Sequence, residues 1–451
     1  MIRHVAIIGA GFSGTLQAIN LLRHDGPSAT LIERAPVPGE GLAYGAAYPG
    51  HVLNVRAANM SALPDDPNHF VRWLAENGEG DAGATFVQRV TYGAYLRDLL
   101  AKALASCGGR LKVVHGDVTD VVRSGDGARV SLADGATIEA DTAVLAVGNL
   151  PPHDPPGFAD AGLSEGRYKS DPWDRSVPLG LSDDDTVLLI GTGLTMVDIA
   201  LLLDSSGFKG RIVALSRRGL VPHRHDSPGP MFPRLAERPV APPSELVRVV
   251  RERGDAIGWR NAVDELRPYT QAMWANGSDA DRARFLRHLR PWWDVHRHRL
   301  APGVADRLAA MQARGQLEIV AGKTISAVEH AGGIDVTWRR RGSDSPETLG
   351  AQRIINCTGP QGDLTRTTEP LLATLQQRGV IRPDPAHLGL DVDSRAQTTA
   401  ADGTSNDWLY ALGPMTRGAF WEIVAVPDIR QQTWNLARRL SNAQWVGGEG
   451  L

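Results

Sequence analysis

The segment HVAIIGAGFSGTLQAIN, residues 4–20, joins a short apolar run directly to Gly9, Gly11 and Gly14, and then to apolar residues at helical spacing as far as Gly26. Few folds accommodate that order. The glycines fit G-x-G-x-x-G at a strand-to-helix turn, where the backbone can approach a pyrophosphate and the helix N-terminus offers amide donors. The pattern alone is weak, but Glu33 ends the next strand nineteen residues after Gly14 and places a carboxylate where a ribose diol would be held. Together they specify a βαβ dinucleotide-binding unit.

A second such turn follows in TVLLIGTGLTMVDIA, residues 186–200. Gly191 and Gly193 keep the positions needed for the tight turn and for phosphate approach. Met196 stands where the third glycine normally serves helix-to-strand packing, so the position changed is not one that touches phosphate. The next strand, RIVALSRRG, ends in Ser216, Arg217 and Arg218 instead of an acid. A guanidinium pair suits a 2′-phosphate that a carboxylate would repel. The second unit is therefore expected to take NADPH, and the first a dinucleotide with a free ribose diol, FAD.

Further apolar runs, DTAVLAVGN, QRIINCTGP and WLYALGP, end in glycine turns and read as buried parallel strands. Residues 111–147 alternate and turn at Asp134-Gly135, predicting an antiparallel meander that ends in a core strand, and residues 317–359 repeat the passage. This internal repeat predicts an α/β fold with two Rossmann-like domains, the second inserted in the first. The expected boundaries are 1–165 and 351–451 for the FAD domain and 166–350 for the NAD(P)H domain. An Arg-rich helical insertion is expected at about 240–315, covering a site.

The chain's 451 residues allow two or three domains. Forty-eight basic and 51 acidic residues leave a formal charge of −3 with no long like-charge block, which argues against nucleic acid and membrane surfaces as partners. Cys107 and Cys357, the only cysteines, are too far apart in sequence for a redox pair or a zinc cluster. His223 and His225 have no third ligand at metal spacing, so no metal is expected. The first apolar run already feeds a glycine turn and no run approaches the ~18 residues of a membrane span, so a soluble, cytoplasmic protein is expected.

With these motifs in place, the chain resembles the two-dinucleotide flavoprotein superfamily, and within it the FAD/NAD(P)-binding proteins related to class B flavin monooxygenases. GAGFSG, Glu33, the segment beginning GLAYGAAYPGHVLNV at Gly41, LAVGN, GTGLTMVD, LSRRG, RPWWDVHRHRLAP and LYALGPMTRGAFWEIVAVPDIRQQ carry the likeness. The resemblance implies that Gly148 and Gly413 lie close to the cofactors and that residues 41–60 run beside the isoalloxazine, with Asn54 a polar contact to the ring. It also places Ser13, Arg34 and Val118 at the FAD site and Thr195 at the NADPH site. In RYKSDPWD, Trp173 matches the Baeyer-Villiger fingerprint but Lys169 stands at its histidine, which argues against ketone oxygenation and gives Lys169 no catalytic role. His296 shares a helix face with Trp292, Trp293 and Leu300, which fits a packed face at least as well as an acidic-substrate site.

The implied activity is an NADPH-using monooxygenase in which reduced FAD takes up oxygen and a peroxyflavin oxygenates a small amine, amino acid or sulfur nucleophile. No catalytic side chain stands out, since the cofactor carries the chemistry. The alternatives are an FAD-dependent NAD(P)H oxidoreductase without oxygen insertion and a non-catalytic dinucleotide-binding protein. The sequence leaves the oligomeric state open.

Overall fold

The computed structural model describes residues 1–226 and 235–441. The chain folds as two compact units, one made of Met1–Ala47, Val55–Leu150 and Gly362–Leu451, the other of Tyr48–Asn54 and Pro151–Gln361.

In the first unit the strand His4–Ile8 lies between Ser28–Glu33 and Thr142–Leu145 and is parallel to both. Val5, Ala6 and Ile7 are wholly buried, as expected of a strand covered on both faces. Leu111–His115 extends the sheet beyond Ser28–Glu33, and Ser405–Ala411 extends it beyond Thr142–Leu145. The helix Phe12–Arg23 packs along Val426–Leu440. Val118–Ser124, Gly127–Leu132 and Thr137–Ala140 form a separate antiparallel sheet. Leu111–His115 is thus not part of the predicted meander. It is an edge strand with only Leu111 buried, and one-sided burial of that kind produces the alternation of an antiparallel strand.

The second unit repeats the plan. Thr186–Ile190 lies between Arg211–Ser216 and Arg353–Asn356, parallel to both, and Arg353–Asn356 also pairs with Tyr168–Lys169. Leu317–His330 begins parallel to Arg211–Ser216 and then turns back antiparallel with Gly333–Arg340, which pairs with Pro346–Ala351. Because Arg353–Asn356 is clamped between two strands of this sheet, residues 351–361 belong to the second unit. Residues 151–165 and Tyr48–Asn54 belong there as well.

The helical insertion starts at Pro243–Ile257 and runs through Arg290–Arg297. The following helix, Pro302–Ala313, lies outside it: Leu308 and Met311 are buried in the same core as Met196 and Leu189, so this is the crossover that returns the chain to the sheet. Among the described residues no helix is long and apolar enough to cross a membrane.

Candidate dinucleotide-binding sites

In the first unit Gly9 has φ 98°, and a Cβ there would lie 2.5 Å from the carbonyl oxygen of Ala146. A Cβ on Gly14 would lie 1.8 Å from the carbonyl oxygen of Gly9. Turn, neighbouring strand end and helix therefore meet at distances only hydrogen permits. The helix Phe12–Arg23 starts at Gly11 with no side-chain cap and no acid in its first turn. Its first amides, those of Phe12, Ser13 and Gly14, face away from the helix and are open to an anion. This cradle fits a pyrophosphate.

Glu33 stands beside the cradle and its two carboxylate oxygens accept from the amides of Ala10, at 2.6 Å, and Ala35, at 2.8 Å. Each oxygen keeps a further lone pair, so the carboxylate is oriented by backbone and still able to accept from a ribose diol. The segment after this strand folds over the turn: the Gly39 amide donates to Ala10 at 2.7 Å, and a Cβ on Gly41 would lie 2.8 Å from Gly11 Cα. The sequence singled out neither glycine as part of the cradle.

Gly413 has φ 78°, and a Cβ there would lie 2.4 Å from the Ser13 hydroxyl. Its amide donates to Gln432 at 2.8 Å, while its carbonyl accepts from Thr416 at 2.8 Å, and Gln432 in turn donates to Thr416 at 3.0 Å. This buried net, which holds Gly413 against the helix start, has no short-range sequence signal. Gly148, φ 71°, has open space where a side chain would be. Arg34 makes a two-pronged bond to Glu369, at 2.9 and 3.2 Å, and Val118 has its side chain buried in the core.

The second unit reproduces the turn. Gly191 has φ 113°, and a Cβ there would lie 2.2 Å from the Cys357 carbonyl oxygen, as Gly9 sits against Ala146. Gly193 begins the helix Leu194–Ser205, again without side-chain cap or first-turn acid, and Thr195 lies half-buried in its first turn. Met196 is fully buried among Val187, Leu189 and Ala200, so a side chain fills the space that Gly14 leaves to backbone in the first unit. Cys357 and Cys107 are both buried free thiols, and burial pushes the Cys357 thiol up, away from thiolate reactivity.

Ser216 shapes the arginine turn rather than facing a ligand. Its hydroxyl shares a 2.8 Å bond with Thr192 and accepts from the Gly219 amide at 3.1 Å. The turn so closed presents Arg217 exposed and Arg218 half-buried, and neither has an ion-pair partner among the described residues.

Asn54 falls in the second unit, where its carbonyl accepts from His225 Nε2 at 3.0 Å. Lys169 is buried and its ammonium lies 2.8 Å from Asp174, whose carboxyl it holds down to about 2. Because the folded-state value is depressed, this pair stabilises the fold above the unfolded carboxylate value near 4 and loses its contribution as pH falls towards 2. Asp174→Asn is expected to melt a few degrees below the parent at pH 7. Thermal scans should show that gap closing as pH is taken from about 4 towards about 2; a gap independent of pH would mean that the charge pair is not its source.

His296 behaves as a packed residue: Nδ1 lies 2.7 Å from the Trp292 carbonyl, and the ring meets Trp259 and His223 at centroid distances of 4.8 and 4.6 Å. Burial, with His296 and two arginines nearby, lowers the His223 pKa. Arg299, nearly buried, is bound by both oxygens of Asp264. Among the described residues no group of three or more His, Cys, Asp or Glu could hold a metal.

Residues 6–150 match a family model described as FAD-NAD(P)-binding. Over nearly its whole length the chain shares its fold with N-hydroxylating flavin monooxygenases. The reduced form of ornithine hydroxylase from Pseudomonas aeruginosa superposes with a TM-score of 0.69 at 15 % identity, covering 98 % of this chain and 99 % of that one. L-Lysine 6-monooxygenase from Pseudomonas syringae gives 0.67 at 17 %, covering 98 and 99 %. The FAD-bound cadaverine monooxygenase of desferrioxamine biosynthesis from Erwinia amylovora gives 0.69 at 13 %, covering 98 and 95 %. No curated protein sequence matches the chain significantly. The fold is thus the one these structures share, with two Rossmann-like units.

Proposed function

We propose that the protein is an FAD-dependent, NADPH-using monooxygenase that oxygenates the nitrogen of a small aliphatic amine. The observation that carries this reading is the pair of matched turns with opposite strand ends, Glu33 beside Gly9 and the arginines beside Gly191. Ornithine, lysine and cadaverine, the compounds after which the three similar structures are named, share a primary amine on a flexible aliphatic chain. That shared chemistry supports an amine over a sulfur nucleophile.

FAD, when bound, supplies the hydride acceptor and the dioxygen chemistry. The chain's own residues do the rest. The amides of Phe12, Ser13 and Gly14 hold the pyrophosphate, and Glu33 accepts from the ribose diol. Gly413, fixed by Gln432 and Thr416, keeps the wall beside Ser13 free of side chain. In the second unit the amides that open Leu194–Ser205 hold the NADPH pyrophosphate, and Arg217 and Arg218 take the 2′-phosphate. Cys107 and Cys357 are buried free thiols in different units and form no neighbouring redox pair, which counts against a disulfide reductase.

The test couples three quantities in one assay of flavin-loaded protein with NADPH and a panel of primary amines: NADPH oxidised, oxygen consumed and hydroxylamine formed. A ratio near 1:1:1 with at least one amine is expected. Substrate-driven NADPH oxidation that continues undiminished without oxygen would overturn the monooxygenase in favour of an oxidoreductase. No flavin reduction by NADPH under anaerobic conditions would overturn both in favour of a non-catalytic protein.

A further inference from the structure

A cavity of about 370 Å³ opens beside Arg217, and its other walls include Lys323, Arg339, Arg340 and Arg341. The antiparallel pair formed by Leu317–His330 and Gly333–Arg340 supplies the lysine and the first two arginines, and Arg341 follows directly. Its placement against the arginine turn is fixed by backbone. Ser216 pairs in register with Ala321, the Arg341 amide donates to the Ala321 carbonyl at 2.9 Å, and a Cβ on Gly219 would lie 3.3 Å from Ala321.

Two of these cations are answered by the turn and strand that follow the hairpin. Arg340 is bonded to both oxygens of Glu347 at 3.0 and 3.1 Å and lies over Trp338, and Arg339 has Asp344 at 4.0 Å. Arg217, Lys323 and Arg341 have no ion-pair partner among the described residues. Lys323 also stands directly opposite Arg339 in the antiparallel register. Like charges in that relation destabilise a sheet, and an anion bound between them offsets the repulsion. The cavity lies at the C-terminal edge of the parallel strands Arg211–Ser216 and Leu317–Ala321, where a Rossmann unit holds the adenosine end of its dinucleotide.

We propose that Lys323 and Arg341 form the second arm of a clamp on the adenosine 2′-phosphate, with Arg217 as the first. Cofactor choice is then set by the hairpin after the third strand of this unit as well as by the turn after its second. The proposal rests on the second unit being the NADPH site.

Its test is calorimetric binding to the FAD-loaded protein of two probes, adenosine 2′,5′-bisphosphate and 5′-AMP, which differ only in the 2′-phosphate. The parent is expected to bind the bisphosphate at least about 100-fold more tightly, and Lys323→Met and Arg341→Gln each to lose about 10-fold for the bisphosphate with AMP unchanged. Both side chains are exposed, so neither variant should melt below the parent, and Lys323→Met, which removes the charge opposite Arg339, should melt at or slightly above it. If both variants keep full affinity while Arg217→Ala loses it, the hairpin arm is overturned and the NADPH site stands. If AMP binding falls in step with the bisphosphate, the residues act on structure alone and the clamp is overturned. If the parent does not distinguish the two probes, the NADPH reading falls and the clamp with it.

Discussion

Gly193→Ala is expected to yield a folded, flavin-loaded protein whose NADPH-driven flavin reduction at low NADPH is cut about 100-fold. What a methyl group at that position would meet decides the outcome. Gly193 has ordinary negative φ, −83°, so alanine imposes no backbone strain. A Cβ there has no protein atom within 4 Å, so alanine imposes no clash either. Any loss must therefore come from what approaches from outside. At the start of an uncapped helix that is the dinucleotide phosphate, whose oxygens need the amides of Leu194 and Thr195 at hydrogen-bond distance. Stopped-flow reduction under anaerobic conditions reads the effect, and the thermal midpoint and flavin content serve as controls. Unchanged reduction at limiting NADPH would show that the phosphate does not come close to this turn. Gly191→Ala would be a poorer test: its φ of 113° and a Cβ 2.2 Å from the Cys357 carbonyl make loss of fold and loss of binding inseparable.

Both turns, their order and the meaning of Met196 were legible because each depends on a few adjacent residues whose backbone demands are local. Met196 is as deeply buried as its substitution for a packing glycine requires. Ser216 was not legible as a structural hydroxyl, because its partner Thr192 lies across the turn twenty-four residues earlier. The Gln432–Thr416–Gly413 net was hidden for the same reason. Tyr48–Asn54 looked like part of the flavin segment, since seven residues without periodicity carry no mark of the unit they pack with; burial of His51, bonded to the Asp198 carbonyl at 3.1 Å, decides it. The bond from the Arg34 guanidinium to Glu369 was hidden likewise, because its partner is distant in sequence.

Arg217→Ala combined with Arg218→Ala is expected to raise the Michaelis constant for NADPH by about 100-fold or more and leave that for NADH within about twofold. A charged hydrogen bond to phosphate contributes about 1.5–3 kcal/mol, so each arginine in contact is worth roughly a factor of ten to a hundred. Ser216 and Gly219 hold the turn that presents the pair, and their bonds do not involve either guanidinium. Truncating the arginines should therefore leave the turn in place, and the selectivity ratio isolates the 2′-phosphate, the one group in which the two cofactors differ. A proportional rise for both would assign the arginines to the shared part of the dinucleotide. If hairpin cations share the load, the double variant should retain a residual preference for NADPH, and adding Lys323→Met and Arg341→Gln should abolish it. The order matters physically: a guanidinium fork binds phosphate by geometry, whereas a lysine acts as a point charge. The turn should therefore govern most of the discrimination at high salt, and the lysine of the hairpin should matter most when ionic strength is low.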